Sequence, residues 1–242
     1  MPPRTRKARS YDPDKTRHAL VAQARAVAEA VRGLAPEALQ QPTRVGGWTV
    51  RELVARIARQ AEATSHALTA KAPAVADLAE VLDTDTREAA EETADVTDRL
   101  ARAVGALEAD LTGPLPDRMV RFAVTRLAEL VVRTDDLADA TGLDIPLDRQ
   151  ALAATTRLLA DALAEAVPGN SVEVRVPPYA AVQCVEGPRH TRGTPPNVVE
   201  TDPLTWIRLA TGRITWAQAL DRALLTASGE RADLSGCLPV LG

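Results

Sequence analysis

The stretch GWTVRELVARI at residues 47–57 carries clear local signals for the start of a helix. Thr49 and Glu52 stand three residues apart, which is the capping-box pattern in which each side chain binds the backbone N–H of the other residue. The apolar positions that follow recur every three or four residues and form one face: Val50, Leu53, Val54, Ile57 and Ala61. We therefore predict a helix that begins after Thr49 and continues to about Ala70.

Similar signals mark helices on both sides of this stretch. Asp12 followed by Pro13 indicates a helix start, because Asp caps the first free N–H groups and Pro suits the first helical position. Caps and apolar spacing predict further helices over residues 13–32, 86–111, 117–141 and 148–167, and a short helical piece over 75–82. Short connections between such helices are typical of an antiparallel bundle. We assign residues 12–167 to a helical bundle and residues 1–11 to a disordered basic tail.

The pattern changes after Pro168-Gly169-Asn170. Residues 171–176 read SVEVRV, and this strict alternation predicts a half-buried strand. Further strands are predicted over 179–185, 198–201 and 224–227, with helices that start after Asp202 and Thr215. The fold class is therefore α-rich with two domains, a helical bundle followed by a small α+β domain over residues 171–242.

Composition limits the classes of function. Hydrophobic residues make up 45% of the chain and aromatic residues only 2%, so the core must consist mainly of Ala, Leu and Val. The net charge of −4 provides no general attraction for nucleic acid. No apolar run approaches the roughly 20 residues that a membrane span needs, and the N-terminus lacks a signal peptide pattern. We expect a cytoplasmic protein that binds a small molecule, with no nucleic-acid partner and no stable membrane insertion; the sequence leaves the oligomeric state open.

No catalytic motif is present in the sequence. There is no glycine-rich phosphate loop, no GxSxG and no HExxH. The three histidines, His18, His66 and His190, stand far apart and without ligand-like spacing. We therefore predict no catalytic residue from these patterns, and we interpret the histidines as surface residues.

A charged stripe runs along the predicted helix 117–141. Arg126, Glu129, Arg133 and Asp136 recur at spacings of three and four, which puts them on one face. Such stripes usually face solvent. Two other interpretations stay open: Glu129 forms an internal salt bridge with Arg56 of the helix that begins after Thr49, or the arginines bind an anionic ligand.

The segments GWTVRELVARI at 47–57 and RLAELVVRTDDL at 126–137 resemble two helices of mycothiol-dependent maleylpyruvate isomerase-like proteins, which are DinB-like helical bundles. The resemblance implies a site for a divalent metal, with histidines where this chain has Arg56 and Arg133, and with a glutamate at Glu129. Arginine is always protonated and has no acceptor, so it cannot ligate a cation. We predict a degenerate metal site at these three positions, with no metal and no cofactor bound. The alternative is a metal- and mycothiol-dependent isomerase or thiol transferase.

Residues 198–241 resemble sterol-carrier-protein-like domains, in which a sheet and helices enclose an apolar tunnel. The resemblance suggests a candidate apolar ligand pocket lined by Trp206, Ile207, Leu209, Ile214 and Trp216. Core packing of these side chains is the alternative. Taken together, the sequence predicts a non-catalytic member of the isomerase-like family that binds a small apolar, lipid-like or anionic ligand through the C-terminal domain or the domain junction.

Overall fold

The computed structural model of the chain describes residues 9–69, 95–187 and 196–240. The predicted helical piece over 75–82, the first part of the predicted helix 86–111, most of the basic tail and His190 lie outside the described residues.

Five helices make up the N-terminal part of the described chain: α1 (Pro13–Val31), α2 (Val50–Thr69), α3 (Val96–Asp110), α4 (Asp117–Thr141) and α5 (Arg149–Ala166). The predicted caps form as expected. The Asp12 carboxylate accepts from the backbone N–H of Lys15, and Thr49 and Glu52 exchange hydrogen bonds as a capping box. Gly142 ends α4 with a φ of +69°, a conformation that costs glycine little.

Helix α4 is the central element of the bundle. It packs against α1, α2 and α5, while α2 and α1 both pack against α3. The core consists mainly of aliphatic side chains, as the composition requires, and its largest fully buried members in the bundle include Leu53, Ile57, Leu100 and Leu127. Because neighbours surround the middle of α4, four of its charged residues also lie inside the protein: Glu129, Arg133, Asp135 and Asp136.

The C-terminal part holds a four-stranded sheet of β1 (Val172–Val176), β2 (Ala180–Cys184), β3 (Val198–Thr201) and β4 (Leu225–Ser228). The strand order is β2-β1-β3-β4; β1 and β3 are parallel, and the outer pairs are antiparallel. Two short helices, α6 (Pro203–Ala210) and α7 (Trp216–Asp221), lie between β3 and β4 in sequence, and a 3₁₀ turn at Ser235–Cys237 follows β4. The α-rich, two-domain architecture predicted from the sequence is confirmed.

Helix α5 connects the two parts of the molecule. It packs against α1 and α4 of the bundle and also against β2 and α6 of the C-terminal part. Arg157 of α5 donates from Nε to the backbone carbonyl of Tyr179, in the β1–β2 turn, at 3.1 Å. The boundary at Pro168-Asn170 stays a prediction. Within the described residues, no helix is long and apolar enough to cross a membrane.

Candidate functional site

A buried ion pair joins α2 to α4. Arg56 donates from Nε and Nη2 to Oε1 of Glu129, at 3.0 and 2.8 Å. Arg56 is 5% exposed and Glu129 is fully buried. The second carboxylate oxygen, Oε2, accepts from Nη1 of Arg126 at 3.1 Å. Both oxygens of Glu129 are therefore bound by guanidinium groups.

The solvent-facing interpretation of the charged stripe is wrong. Glu129, Arg133 and Asp136 are at most 1% exposed, and Arg126 is only partly exposed. The physical reason is the central position of α4, which packs against α1, α2 and α5, while its exposed charges, such as Arg121 and Asp139, lie outside the stripe. The structure instead contains the internal Arg56–Glu129 salt bridge that the sequence left open as an alternative.

Positive charge exceeds negative charge around this ion pair. Burial raises the pKa of the Glu129 carboxyl, and Arg56 and Arg126 oppose that rise. Burial, together with the charges of Arg56 and Arg99, lowers the pKa of the nearby Arg59 below its ordinary value. Arg99 is held by Glu62 through two hydrogen bonds, whereas Arg59 forms no salt bridge within the part of the chain that the structure describes.

These side chains do not fit a divalent metal. A zinc-like ion needs neutral imidazole, thiolate or carboxylate ligands, usually three from the protein. Arg56 and Arg133 supply only donors and positive charge, and Glu129 already accepts hydrogen bonds at both oxygens. Among the described residues, no group of three His, Cys, Asp or Glu side chains is placed to hold a metal. His18 and His66 are exposed on the surface.

A second ion cluster lies two turns further along α4, where the C-terminal domain meets the bundle. Asp135 accepts from Nε and Nη2 of Arg208, at 2.9 and 2.6 Å. Asp136 accepts from Nε and Nη2 of Arg213, at 3.2 and 3.0 Å. Arg44, in the loop before α2, contacts both carboxylates. We call these five residues the junction cluster.

Arg133 lies between the two clusters. Its Nη1 donates to Asp136 at 3.4 Å, and its guanidinium stacks over the Trp48 ring at 5.3 Å from the centroid. Burial lowers the pKa of Arg133, and the charges of Arg213 and Arg56 act in the same direction. The charges of Asp136 and Glu129 oppose this lowering. Arg133 thus connects the interior of the bundle electrostatically to the C-terminal domain.

The Asp135 carboxylate of the junction cluster is held in the charged form. Burial alone would raise the pKa of Asp135, but the hydrogen bonds and charges of Arg208 and Arg44 outweigh it and lower the pKa below the ordinary value. The hydrogen bonds to Asp135 and its charge raise the pKa of Arg208. The junction cluster is therefore a stable set of charges at neutral pH.

Sequence reasoning did not single out the junction cluster. Asp136 appeared only as a member of the charged stripe and Asp135 only as part of the 126–137 segment, and Arg44, Arg208 and Arg213 were not identified. The arginines of the C-terminal domain reach Asp135 and Asp136 across 73 and 77 residues of sequence, and no local pattern carries such a pairing. The one available signal was the adjacent acid pair, Asp135-Asp136, in a predicted helix that is otherwise rich in apolar residues.

The candidate apolar pocket residues lie in the hydrophobic core. All five are at most 9% exposed: Trp206, Ile207, Leu209, Ile214 and Trp216. They belong to the same continuous core as the bundle helices, which is the core-packing alternative considered from the sequence. Their role as a ligand pocket stays a prediction.

Comparisons with known proteins agree with this architecture. Residues 20–138 match the family described as mycothiol maleylpyruvate isomerase N-terminal domain, and residues 148–240 match the family described as bacterial SCP ortholog. Two crystal structures share the fold, those of a mycothiol-dependent maleylpyruvate isomerase and of its histidine-to-alanine mutant, with TM-scores of 0.57 and 0.58. Each is 14% identical and covers 92% of this chain and 95% of the other. No curated protein matches the sequence.

Proposed function

We propose that this chain, in which a mycothiol maleylpyruvate isomerase N-terminal domain precedes a bacterial SCP ortholog domain, is a metal-independent binding protein for a small anionic ligand. The ligand binds inside the bundle, next to the Arg56–Glu129 pair. One observation carries the proposal: a single carboxylate, Glu129, faces the guanidinium groups of Arg56, Arg126 and Arg133.

The ion pair takes the structural role that a metal would have. The guanidinium of Arg56 is a permanent cation that joins α2 to α4, as an ion bound by ligands on both helices would. A divalent cation at this position would meet the repulsion of Arg56 and Arg133 and would have to displace both hydrogen-bonded partners of Glu129. The side chains therefore favour a bundle that is stable without a metal.

The excess of arginines favours an anion. Arg59 is half-buried next to Arg56 and Arg99, and burial, together with the crowding of like charges, makes its charged form less stable. A carboxylate or phosphate would relieve this crowding, and planar guanidinium groups bind both anions through paired hydrogen bonds. The apolar ligand considered from the sequence has weaker support, because the side chains predicted to line its pocket are packed in the core.

Calorimetric titration of the full chain with inorganic phosphate and with succinate tests the proposal. We expect binding of at least one probe, and we expect Arg59→Gln to weaken it about tenfold through loss of a charge-assisted hydrogen bond. Arg25→Gln is the matched control, because Arg25 is an exposed arginine of α1 paired only with Glu108. Equal affinity of the two variants, or no binding of either probe, would contradict the proposal.

Elemental analysis tests the metal-independent part separately. We expect the purified chain to hold far less than one equivalent of zinc, and we expect added zinc to leave the thermal unfolding midpoint unchanged. Arg56→His combined with Arg133→His should create zinc affinity, because it places two imidazoles beside Glu129. Stoichiometric zinc in the unmodified chain, lost on Glu129→Ala, would overturn this part of the proposal.

A further inference from the structure

A cavity of about 480 Å³ opens between the beginning of α1 and one face of α5. This volume lies in the range of small-molecule sites. Its polar lining residues include Arg9, Tyr11, Lys15, Thr16, Gln150 and Arg157. None of the residues of the Arg56–Glu129 site or of the junction cluster lines it, so it is a separate place in the molecule.

The cations of this cavity differ in how they are neutralised. Arg9 is paired with Asp161 through two hydrogen bonds, at 2.8 and 3.1 Å. The Asp12 carboxylate caps α1 and accepts from the backbone N–H of Lys15 at 2.9 Å, so it is used within the helix start. Lys15 and Arg157 form no salt bridge with any residue that the structure describes. They are the charges that the cavity offers to a ligand.

Arg157 is held in place by the C-terminal domain. Its Nε donates to the carbonyl of Tyr179 at 3.1 Å, and its guanidinium lies 5.8 Å from the centroid of the Tyr179 ring. One of its donor groups is therefore used for positioning. An arginine that is fixed in this way loses little side-chain freedom when it binds an anion.

Tyr11 adds a neutral donor. Burial raises the pKa of its phenol to about 12, so the hydroxyl keeps its proton throughout the physiological range. Thr16 is engaged by the helix start, because its hydroxyl donates to the carbonyl of Asp12 at 2.8 Å. Gln150 lines the opposite wall, on α5. The cavity thus presents two cations and a permanent hydroxyl donor.

We propose that this cavity binds a small molecule through a single carboxylate or phosphate group, with Arg157 as the main contact and with Lys15 and Tyr11 as further donors. This site is distinct from the anion site inside the bundle. Because Arg157 also contacts Tyr179, the ligand binds where α1, α5 and the β1–β2 turn meet. Its occupancy strengthens the contact between the bundle and the C-terminal domain.

Titration calorimetry of the full chain in the Arg59→Gln background tests this site while binding in the bundle is weakened. The probes are inorganic phosphate, acetate and glycerol 3-phosphate, with glycerol as the neutral control. We expect binding of an anionic probe and none of glycerol, and we expect Lys15→Gln and Tyr11→Phe each to weaken binding about five- to tenfold. Tighter binding of the two phosphates than of acetate assigns the site to phosphate, and the reverse order assigns it to carboxylate.

Arg149→Gln is the matched control, since Arg149 is an exposed arginine of the same helix that does not line the cavity. Lys15 is exposed and Tyr11 keeps its ring in Tyr11→Phe, so both variants should fold, and their thermal unfolding midpoints check this. The proposal is overturned if no anion binds in the Arg59→Gln background, if glycerol binds as well as the anions, or if Lys15→Gln behaves like Arg149→Gln. Binding that Arg59→Gln alone abolishes would support the bundle site and overturn this one.

Discussion

The two ion clusters on α4 differ in where their arginines come from. Glu129 is bound by Arg56 of α2 and Arg126 of α4 itself, so all of its partners belong to the bundle. Asp136 is bound by Arg213 of the C-terminal domain as well as by Arg44. The first cluster fixes one helix against another, and the second fixes one domain against the other. One helix therefore carries two electrostatic contacts with different structural tasks.

The clusters also differ in how their charges balance. At Glu129, guanidinium groups outnumber carboxylates, and this imbalance leaves room for an anion. At the junction, Arg208 and Asp135 satisfy each other through two hydrogen bonds, as do Arg213 and Asp136, and the charge of Arg44 is balanced by Asp139 at 3.6 Å. A balanced cluster is suited to a permanent contact, whereas an unbalanced one is suited to a ligand. Variants in the two clusters test whether they differ in this way.

Asp136→Asn should have the largest effect on stability. Asp136 is fully buried and faces Arg44, Arg133 and Arg213, so its neutralisation leaves one buried and two partly exposed guanidinium groups without that charge. We expect a loss of about 3–5 kcal/mol in the free energy of unfolding, measured by urea denaturation. Asp139→Asn is the control: Asp139 is about half exposed and 3.6 Å from Arg44, and its loss should cost about 0.5 kcal/mol or less. Similar values for the two variants would show that the junction cluster does not stabilise the fold.

Replacement of the Arg56–Glu129 pair by apolar residues tests how much this pair contributes to the stability of the bundle. Glu129→Leu alone leaves Arg56 buried without its partner and should cost about 3 kcal/mol or more. The double variant Arg56→Met with Glu129→Leu removes both charges, and we expect it to recover most of that loss, because well-packed apolar residues often replace a buried pair without penalty. Urea denaturation of the single and double variants measures the coupling. A double variant as unstable as Glu129→Leu would mean that Arg126 and Arg133 depend on the carboxylate as much as Arg56 does.

Local signals explain how much of the fold could be predicted from the sequence. Asp12, Thr49 and Thr215 mark helix starts through contacts within four residues, so the helix boundaries near them were predicted closely. The alternation at residues 171–176 likewise predicted β1. These features depend on residues only a few positions apart in the chain, so the sequence alone is enough to predict them.

The charged interior could not be predicted in the same way. The stripe on α4 has the spacing of a solvent-facing surface, and only the packing of α1, α2 and α5 around it turns it inward. Arg56 was placed near Glu129 through the family resemblance and not through any pattern in the residues. The junction cluster joins segments more than 70 residues apart, so its existence depends on how the two domains dock.

Arg213→Gln should have a smaller effect, and one that is specific to the junction. Arg213 is 16% exposed, so water partly compensates for its loss, and we expect a cost of about 1–2 kcal/mol. Amide hydrogen exchange should become faster in α6 and in the loop around Arg44, and it should stay unchanged in α3. Arg175→Gln is the control, because Arg175 is an exposed arginine of β1 paired only with Glu173. Uniformly faster exchange in both domains would argue against a contact that acts mainly between them.

The smallest expected effect is the dependence of stability on pH that comes from Asp135. Arg208 and Arg44 lower the pKa of this carboxyl in the folded protein, so the unfolded chain takes up the proton at a higher pH. The stabilisation is therefore fully present above the ordinary carboxyl pKa and is lost as the pH falls below about 4, through the folded-state pKa. Each unit of pKa difference contributes about 1.4 kcal/mol. Urea denaturation between about pH 3 and about pH 6 should show a steeper acid loss of stability for the unmodified chain than for Asp135→Asn. Parallel pH profiles for the two proteins would mean that Arg208 and Arg44 bind the charged form of Asp135 no more strongly than the neutral form. The contact between the domains would then depend on packing and not on the charges of the junction cluster.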